Sequence, residues 1–337
     1  MSSKTPKVTV ILPVYNAGTT LKRAVDSVLK QTFHDFELLI VDNNSTDRSL
    51  PVSRESAFRD NRIRIFKEPK QGVTHAFNKG LQEASSPYIA RMDADDEMLP
   101  HRLLLQHDFL QENPDFDAVA GLAEYVPHHQ YTRGFHEYVA WSNSLISAGD
   151  ISLNRFVEMP VINPTTMWRR SISDHLGAYR EGDFPEDYEM WLRWMEEDVR
   201  VGKVIQPVLR WHDSEKRLTR TEEKYSREAF HRVRVKYLAK YLKRHNPFHP
   251  EVWVWGAARQ TRRMAEMMKT EGVVIKKYID VVSNKQIPES VLHHTEIPKA
   301  GICFILVYTK NPTARKDIVR FLHSLKYKPG IDYLLVG

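Results

Sequence analysis

Short apolar runs alternate with longer amphipathic segments through the first third of the chain. The runs VTVILPVY, FELLIVD, RIRIF and PYIARMD have the length and apolar content of strands, and helical patterns such as TTLKRAVDSVLKQ and VTHAFNKGLQEA separate them. Strands that alternate with helices of about ten to fifteen residues form βαβ units and a mainly parallel, doubly wound sheet. The sequence therefore predicts an α/β fold whose ligand binds at the carboxyl ends of the strands.

Length and composition limit the classes of protein that fit. The chain has 337 residues, 42% of them hydrophobic, which is enough for two domains with substantial cores. Its net charge of +6 is compatible with phosphorylated ligands or an anionic membrane surface, but it is too small to indicate nucleic-acid binding. The single cysteine, Cys303, excludes an internal disulfide, and no apolar run has the length of a signal sequence or a membrane span. We therefore expect a cytoplasmic protein with no nucleic-acid partner.

Polar residues follow three of the predicted strands. The first strand ends at a PVYNAG loop, the second at DNNSTD and the fourth at DADD. Because these ends meet at one edge of a parallel sheet, all three loops should face one crevice. Turn formation and helix capping explain residues 43–47 well. They explain Asp42 less well, because this residue emerges from an apolar strand and would point into the crevice.

The DADD loop concentrates carboxylates directly behind a strand. Asp93 and Asp95 lie two positions apart on an extended segment and can converge on one cation. Magnesium and manganese take carboxylate oxygens together with phosphate oxygens and water. A solvated acidic turn is the alternative, and it explains Asp96 and Glu97 well. The position of Asp95 after a strand favours metal binding, so the loop predicts a metal–diphosphate site.

Three segments, in this order, resemble the family 2 inverting glycosyltransferases with the GT-A fold. They are VILPVYNAGTTLKRAVDSVLKQTFHDFELLIVDNNSTDRS, NKGLQEASSPYIARMDADDEMLPHRLLLQ and YREGDFPEDYEMWLRW, and the resemblance covers about residues 6 to 220. It implies metal-dependent transfer of a hexosyl or N-acetylhexosaminyl group from a nucleoside-diphosphate sugar, usually a UDP-sugar. The implied acceptor is a hydroxyl of a glycan or lipid-linked molecule in cell-envelope polysaccharide assembly. A noncatalytic nucleotide-sugar-binding protein is the alternative that the sequence leaves open.

The resemblance also implies roles for particular residues. The implied nucleotide-sugar-binding residues lie in the strand-end loops and in the NKG segment: Pro13, Tyr15, Asp42, Asn44, Asn78 and Asp93. Asp95 and Asp93 are the implied ligands of Mn²⁺ or Mg²⁺, and His212 of the LRWHDSEKRLTR segment is a further candidate ligand. The DNNS sequence replaces the more common DDGS, so that Asn43 stands at the second acidic position.

The FPEDYEMW segment supplies the implied catalytic pair, Glu186 and Asp187. Removing a proton from an acceptor hydroxyl requires a base, and such help is typically worth a factor of about a hundred to ten thousand in rate. A direct attack assisted by one base predicts inversion at the anomeric carbon. By analogy with the family, Asp187 is the expected base. The alternative explanation for Asp187 is that it caps the helix that follows.

Residues 221–249 form a predicted basic amphipathic helix followed by the helix-breaking NPFHP segment. This pattern fits peripheral contact with the inner face of a membrane, but it fits packing on a neighbouring domain better. We therefore predict a catalytic domain over 1–220, this helix and linker, and a small Rossmann-like α/β domain over 250–337.

The GAARQTR turn of the predicted C-terminal domain departs from a dinucleotide-binding fingerprint. Ala258 and Thr261 stand where that fingerprint has glycines, and Asp280 is only a weak match to a ribose-binding acid. The sequence therefore favours a structural or partner-binding role for this domain over a cofactor site.

Overall fold

The chain folds into two compact units. A computed structural model describes residues 5–128, 132–215, 217–282, 291–309 and 311–337. The first unit comprises Met1–Ile151, Val161–Gly182 and Glu197–Glu222, and the second comprises Ser152–Pro160, Asp183–Glu196 and Glu223–Gly337. The segment that carries Glu186 and Asp187 therefore belongs to the second unit. A division into folding domains at residues 220 and 250 stays a prediction.

Strands and helices alternate along both units. The strands of the described residues are β1 (Val8–Val14), β2 (Phe36–Asp42), β3 (Ile63–Lys67), β4 (Tyr88–Arg91), β5 (Glu97–Met98), β6 (Ala118–Val126), β7 (Met167–Arg169), β8 (Val201–His212), β9 (Glu251–Trp255), β10 (Val274–Asp280), β11 (Val291–His293), β12 (Ile305–Tyr308) and β13 (Tyr333–Val336). The helices are α1 (Leu21–Leu29), α2 (Ser49–Arg59), α3 (Val73–Glu83), α4 (Arg102–Glu112), α5 (Arg133–Ser144), α6 (Ala148–Asn154), α7 (Arg170–Leu176), α8 (Glu186–Glu196), α9 (Leu218–Thr221), α10 (Arg227–His245), α11 (Arg259–Glu266) and α12 (Pro312–Ser324). The predicted alternation from β1 to β4 is confirmed element by element.

One large sheet forms the centre of the first unit. Within the described residues its strand order is β3-β2-β1-β4-β7-β6-β8-β5. The strands from β3 to β4 pair in parallel, as do β6 and β8, whereas β7 and β5 are antiparallel to their neighbours. The mainly parallel sheet is as predicted. Because β1, β2 and β4 are parallel neighbours, the loops that follow them lie along one edge of the sheet.

Burial on both faces explains the apolar runs of the central strands. β2 is buried along its whole length, which is typical of a strand covered by helices on both sides of a parallel sheet. Helix α1 buries one stripe, formed by Leu21, Ala24, Val25 and Val28, at the i, i+3, i+4 and i+7 spacing of an amphipathic helix.

Irregular pairing lengthens β8 relative to its partner β6. Gly121 pairs with Val204, the next residue of β6 pairs with Pro207, and Ala123 pairs with Leu209. β8 therefore contains bulged residues that have no counterpart in β6, and such bulges tolerate a proline that cannot donate to the ladder. β8 regains regular pairing and ends at His212.

The second unit contains a smaller parallel sheet. Within the described residues its strand order is β11-β10-β9-β12-β13, and every pair of neighbours is parallel. Numbered along the chain this is 3-2-1-4-5, the arrangement of a Rossmann-like doubly wound sheet. The predicted α/β fold of the C-terminal segment is confirmed. Cys303 is buried in this unit, 3.4 Å from the Tyr327 hydroxyl.

Helix α10 is the predicted basic helix, and it packs against α8 within the second unit. The Tyr237 hydroxyl donates to a carboxylate oxygen of Glu189 at 2.5 Å, and the Arg244 guanidinium donates to the carbonyl oxygen of Glu196 at 2.6 Å. An aromatic and a basic side chain of α10 therefore make their hydrogen bonds within the protein. In the part of the chain that the structure describes, no helix has both the length and the apolar character needed to cross a membrane.

Gly121 is required by the packing of β6 on the bulged strand β8. A Cβ atom at Gly121 would lie 2.6 Å from Cγ1 of Val208, and it would also overlap the second methyl of that buried valine. We expect Gly121→Ala to lower the free energy of unfolding by about 1 to 3 kcal/mol, because extra volume in a filled core forces side chains off their rotamers. Denaturant unfolding measures this loss.

Val208→Ala provides the control, because it removes both methyl groups that the new Cβ would meet. The Gly121→Ala/Val208→Ala double variant should lose less free energy of unfolding than the two single variants lose together. Additive losses would contradict the assigned packing.

Candidate active site

Side chains tie the loops after β1 and β2 to each other. The backbone N–H of Asn43 donates to the carbonyl of Val14 at 2.8 Å. The Asn16 side-chain oxygen accepts from the N–H of Thr46 at 2.9 Å, and the Asn16 N–H donates to the Ser45 hydroxyl at 3.1 Å. These bonds hold the two loops together at the strand ends. The predicted proximity of the first two loops is confirmed.

Three of the predicted nucleotide-binding residues lie at these strand ends. Pro13 is half-buried within β1, and Tyr15 follows the strand with 55% of its surface exposed. Asp42 is only 4% exposed, and its Oδ1 atom has no hydrogen-bond partner among the described residues. A buried carboxylate oxygen without a partner is costly, so a ligand donor such as a hydroxyl or a ring N–H would relieve it.

Asn43 fixes the loop between β3 and α3. Its side chain is buried; the amide nitrogen donates to the carbonyls of Glu68 and Lys70, both at 2.8 Å, and the oxygen accepts from the N–H of Gly72 at 2.7 Å. Two carbonyl oxygens thus face the amide group, and only a donor satisfies them. This explains an asparagine at the position where the family commonly has aspartate.

Asn44 and Asn78, the two asparagines predicted to bind the nucleotide-sugar, are also hydrogen-bonded to the protein. Asn44 adopts a left-handed backbone conformation with φ of 60°, which asparagine tolerates at the place where DDGS has glycine. Its amide donates to the carbonyl of Pro69 at 2.7 Å on the surface. Asn78 of α3 donates to the carbonyl of Tyr179 at 2.8 Å, whereas its buried Oδ1 atom has no hydrogen-bond partner in the described parts of the chain.

A turn after β4 gathers three carboxylates. Oxygen atoms of Asp93, Asp95 and Asp96 all lie within 4.8 Å of one another. Burial raises the pKa of Asp95, with Arg217 opposing the shift, and burial together with the charge of Asp95 raises the pKa of Asp96 well above its usual value. The sequence pattern predicts a solvated turn residue at Asp96, but the structure places Asp96 in the cluster. Such a group of oxygen donors suits a hard divalent cation.

His212 lies beside this cluster because β8 ends there. Its backbone N–H donates to an Asp96 carboxylate oxygen at 2.9 Å. The ring Nε2 atom is buried without a hydrogen-bond partner among the described residues and lies 3.8 Å from the carboxylate of Glu97. Burial and the charge of Arg23 lower the pKa of His212, so the neutral imidazole that a metal needs is favoured. Among the described residues, the three aspartates form the group of possible ligand atoms that lie within 4.8 Å of one another, and a role of the His212 ring as a further ligand stays a prediction.

Two arginines flank the acidic cluster. The Arg23 guanidinium donates to the carbonyl oxygen of Asp95. The Arg217 guanidinium lies 3.7 Å from the Asp96 carboxylate and 3.7 Å above the centre of the Trp211 ring. Planar guanidinium groups suit phosphate oxygens. Arg217 belongs to the same LRWHDSEKRLTR segment as His212, whereas nothing in the sequence distinguishes Arg23 on α1.

A third arginine, Arg102, supports the acidic turn from the interior. It is completely buried and donates to the carbonyls of Arg91 at 2.8 Å and Thr166 at 3.1 Å, which fixes the end of β4. Burial lowers the pKa of Arg102 to about 9, and the charges of Asp93 and Asp96 oppose this shift. The guanidinium therefore stays charged at neutral pH beneath the carboxylates. Its position in a helical pattern gave no sign of this role.

The predicted catalytic pair opens helix α8 in the second unit. Both carboxylate oxygens of Glu186 lie 2.8 Å from the Tyr225 hydroxyl, and one lies 3.3 Å from the Lys224 ammonium group. Glu186 is buried, whereas Asp187 is half-buried and accepts from the N–H of Tyr188 at 2.7 Å. Both carboxylates thus make contacts within the protein, and Glu186 is the more deeply buried of the two.

Comparison with known proteins agrees with this arrangement of motifs. The pattern of glycosyl transferase family 2 matches residues 9–177, half of the chain, and the chain therefore belongs to this family of glycosyltransferases. EpsE of Bacillus subtilis (strain 168), provisionally named a glycosyltransferase, is 30% identical over 200 residues, which are 58% of this chain and 69% of EpsE. Glycosyltransferase GlyG of Streptococcus pneumoniae serotype 4 is 33% identical over 133 residues; these are 39% of this chain and 43% of GlyG.

Among solved structures, residues 1–349 of S. aureus TarS in complex with UDP-GlcNAc have a similar fold. The TM-score is 0.56 at 17% sequence identity, and the match covers 78% of this chain and 70% of that one. At this identity the likeness concerns the fold, and it confirms the predicted GT-A type. The same TarS segment in complex with UDP gives a TM-score of 0.51.

The bonding of Asn43 makes the family consensus unfavourable at this position. Asn43→Asp removes two donors and turns a carboxylate toward two carbonyl oxygens, so we expect a loss of about 1 to 3 kcal/mol in the free energy of unfolding. Asn61→Asp, which makes the same change at an exposed position, is the control. Denaturant unfolding of both variants measures the difference, and equal stability of the two would disprove the structural role of Asn43.

Proposed function

We propose that this glycosyltransferase transfers a sugar from a UDP-sugar to a hydroxyl of a glycan or lipid-linked acceptor, with inversion and with the help of Mn²⁺ or Mg²⁺. The observation that carries the proposal is the cluster of Asp93, Asp95 and Asp96 beside His212, at the sheet edge where Asp42 also lies. The UDP-GlcNAc bound by TarS supports a UDP-sugar and a hexosyl or N-acetylhexosaminyl group. A cytoplasmic location, with peripheral contact at the inner face of the membrane, stays a prediction.

The donor set fits a divalent metal ion. Asp93, Asp95 and Asp96 offer hard carboxylate oxygens, and the unpartnered Nε2 atom of His212 is suited to Mn²⁺ in particular. When bound, such an ion neutralises the charge that develops on the departing diphosphate. Partly buried carboxylates with raised pKa values are also expected of a site whose counter-charge arrives with the ligand.

The chain's own residues bind the rest of the donor. The unpartnered carboxylate oxygen of Asp42 accepts a hydrogen bond from the base or the ribose. Arg23 of α1 and Arg217, which follows β8, both lie beside the acidic turn and donate to the diphosphate oxygens. Pro13 and Tyr15 form the wall of the nucleotide pocket at the end of β1. These contacts orient the sugar for attack and raise its effective concentration.

Asp187 acts as the base in this proposal. It lies in the first turn of α8, a rigid element, and its carboxylate is half-buried rather than enclosed. It removes the proton of the acceptor hydroxyl as the oxygen attacks the anomeric carbon, and one direct displacement inverts the configuration there. The hydrogen bond from Tyr225 and the ion pair with Lys224 support a different role for Glu186, namely fixing the start of α8.

Asp95→Asn tests the metal site. We expect the variant to lose Mn²⁺-dependent binding of UDP by at least about tenfold, because one ligand oxygen is replaced by an amide. Isothermal titration calorimetry with and without Mn²⁺ measures this. Asp115→Asn, an exposed aspartate outside the cluster, should bind UDP like the wild type. UDP binding by Asp95→Asn that still depends on Mn²⁺ and has unchanged affinity would refute the site.

Asp187→Asn tests the base. Because the amide cannot accept the proton, kcat for transfer from the preferred UDP-sugar should fall by about a hundredfold to ten-thousandfold. The dissociation constant of the UDP-sugar should stay unchanged, since the proposal gives Asp187 no contact with the donor. Transfer is followed as UDP release together with acceptor glycosylation. Full activity of this variant would exclude Asp187 as the base, and donor binding by the wild type without turnover would favour the noncatalytic alternative.

A further inference from the structure

The second unit contains a cavity of about 490 Å³ at the carboxyl ends of its central strands. Trp255 at the end of β9, Asp280 at the end of β10 and Tyr308 at the end of β12 all line it. β9 and β12 are neighbours in the sheet, but the chain continues from β9 to β10 and from β12 to β13, on opposite sides. The cavity therefore lies at the topological switch point, where open α/β sheets bind their ligands.

Polar groups in the cavity wall lack partners within the protein. Trp255 is only 4% exposed, yet its indole N–H makes no hydrogen bond to any residue that the structure describes. The hydroxyls of Thr261 and Thr309, which also line the cavity, make none to the described residues either. Buried polar groups are normally paired. Thr261 and Thr309 are partly exposed, so water can pair their hydroxyls, whereas the indole N–H of the nearly buried Trp255 points to a ligand that supplies an acceptor.

The turn between β9 and α11 is built to bring backbone close to this space. Gly256 has φ of 120°, and a Cβ there would lie 2.8 Å from the carbonyl oxygen of Tyr308, so only glycine fits. The Asp280 carboxylate accepts from the N–H of Ala257 at 2.8 Å and from that of Val281 at 2.7 Å. Asp280 thus has a structural role, because its hydrogen bonds hold the turn in place.

Helix α11 begins at the cavity without a side-chain cap. Ala258 occupies its N-cap position and has no polar atom in its side chain. Helix α12 differs, because its N-cap residue Asn311 accepts from the N–H groups of Thr313 and Ala314 at 2.9 and 3.2 Å. The first N–H groups of α11 therefore remain available to an anion. Together with the unpaired donors nearby, they define the polar end of the cavity.

The rest of the wall contains the apolar or aromatic side chains of Met264, Tyr308 and Ile318, together with the polar side chains of Gln260 and Asp317. A ligand that fits this combination has an anionic, acceptor-rich end and a flat, largely apolar body. The methyl group of Ala258 stands where a dinucleotide fingerprint has a glycine, and it hinders the close backbone approach that a bridging pyrophosphate requires. A terminal phosphate needs no such approach.

We propose that this cavity binds a mononucleotide, with its phosphate at the start of α11 and its base against the apolar part of the wall. The site is distinct in sequence and in fold from the acidic turn after β4, and it gives the C-terminal sheet a ligand-binding role. The sequence favours a structural role because the turn departs from the dinucleotide fingerprint. The same departures, Ala258 and Thr261, are compatible with a smaller nucleotide.

Ala258→Asp is the decisive variant. Aspartate is a preferred N-cap residue, so it should leave the melting temperature unchanged or raise it, while its carboxylate occupies the N–H groups of α11 and repels a phosphate. Calorimetric titration with AMP, ADP, GMP, CMP, UMP and UDP should identify a mononucleotide that binds the full chain, and Ala258→Asp should bind it at least about tenfold more weakly.

Two further variants locate the binding. Asp95→Asn should retain the affinity for this nucleotide, because that substitution lies in the first unit. Ser226→Asp adds the same charge at the N-cap of α10, in the second unit but outside the cavity lining, and should also retain it. Failure of the glycosyltransferase proposal would leave these results unaffected. Equal affinities of Ala258→Asp and the wild type, or equal losses in Ala258→Asp and Ser226→Asp, would overturn the proposal.

Intrinsic fluorescence supplies an independent readout. Trp255 lines the cavity, so nucleotide binding to the full chain should change tryptophan emission, and Trp255→Phe should abolish most of this change. No binding of any of the six nucleotides at millimolar concentration would overturn the proposal. Tighter binding of NAD⁺ than of every mononucleotide would overturn the assigned ligand class.

Discussion

Burial and mutual repulsion act together on the carboxylates of the turn after β4. Three carboxylates whose oxygens lie within 4.8 Å of one another repel strongly, the more so where burial removes water from around them. The protein offsets part of this repulsion with Arg91, whose guanidinium lies 2.5 Å from the Asp93 carboxylate, with Arg102 beneath the turn and with Arg217 beside it. The fold thus holds three carboxylates close together at the end of β4, an arrangement that suits a ligand carrying positive charge.

Rigid support of flexible-looking loops is the second theme of the structure. The DNNSTD and PVYNAG loops consist of residues that favour turns, yet side-chain hydrogen bonds from Asn16 and Asn43 fix them to neighbouring backbone. In the second unit, Asp280 does the same for the turn after β9. In each case the side chain forms hydrogen bonds with backbone groups, and these bonds keep the neighbouring residues in a defined position for a ligand.

Local patterns predicted the sheet and its edge, whereas long-range contacts escaped them. Strand and helix periodicity predicted the parallel arrangement of β1, β2 and β4. It therefore also predicted that Asp42 and Asp93 lie along the same edge of the sheet. Spacing did not reveal Asp96, because alternation separates adjacent side chains on a strand but not in a turn. Arg23 lies on an ordinary helix, and the membership of α8 in the second unit depends on its packing against α10. Neither leaves a trace in local sequence.

The bulged course of β8 constrains the length of that strand more tightly than its composition. Successive side chains of a strand point to opposite faces, and β8 reaches the acidic turn only after its irregular stretch between Val204 and Leu209. A single-residue insertion or deletion there leaves the imidazole of His212 in place only if the bulge absorbs it; otherwise the pairing after Leu209 shifts by one residue and carries the imidazole to the other face of the sheet. The length of the bulged stretch is therefore tied to the register in which β8 resumes its pairing with β6.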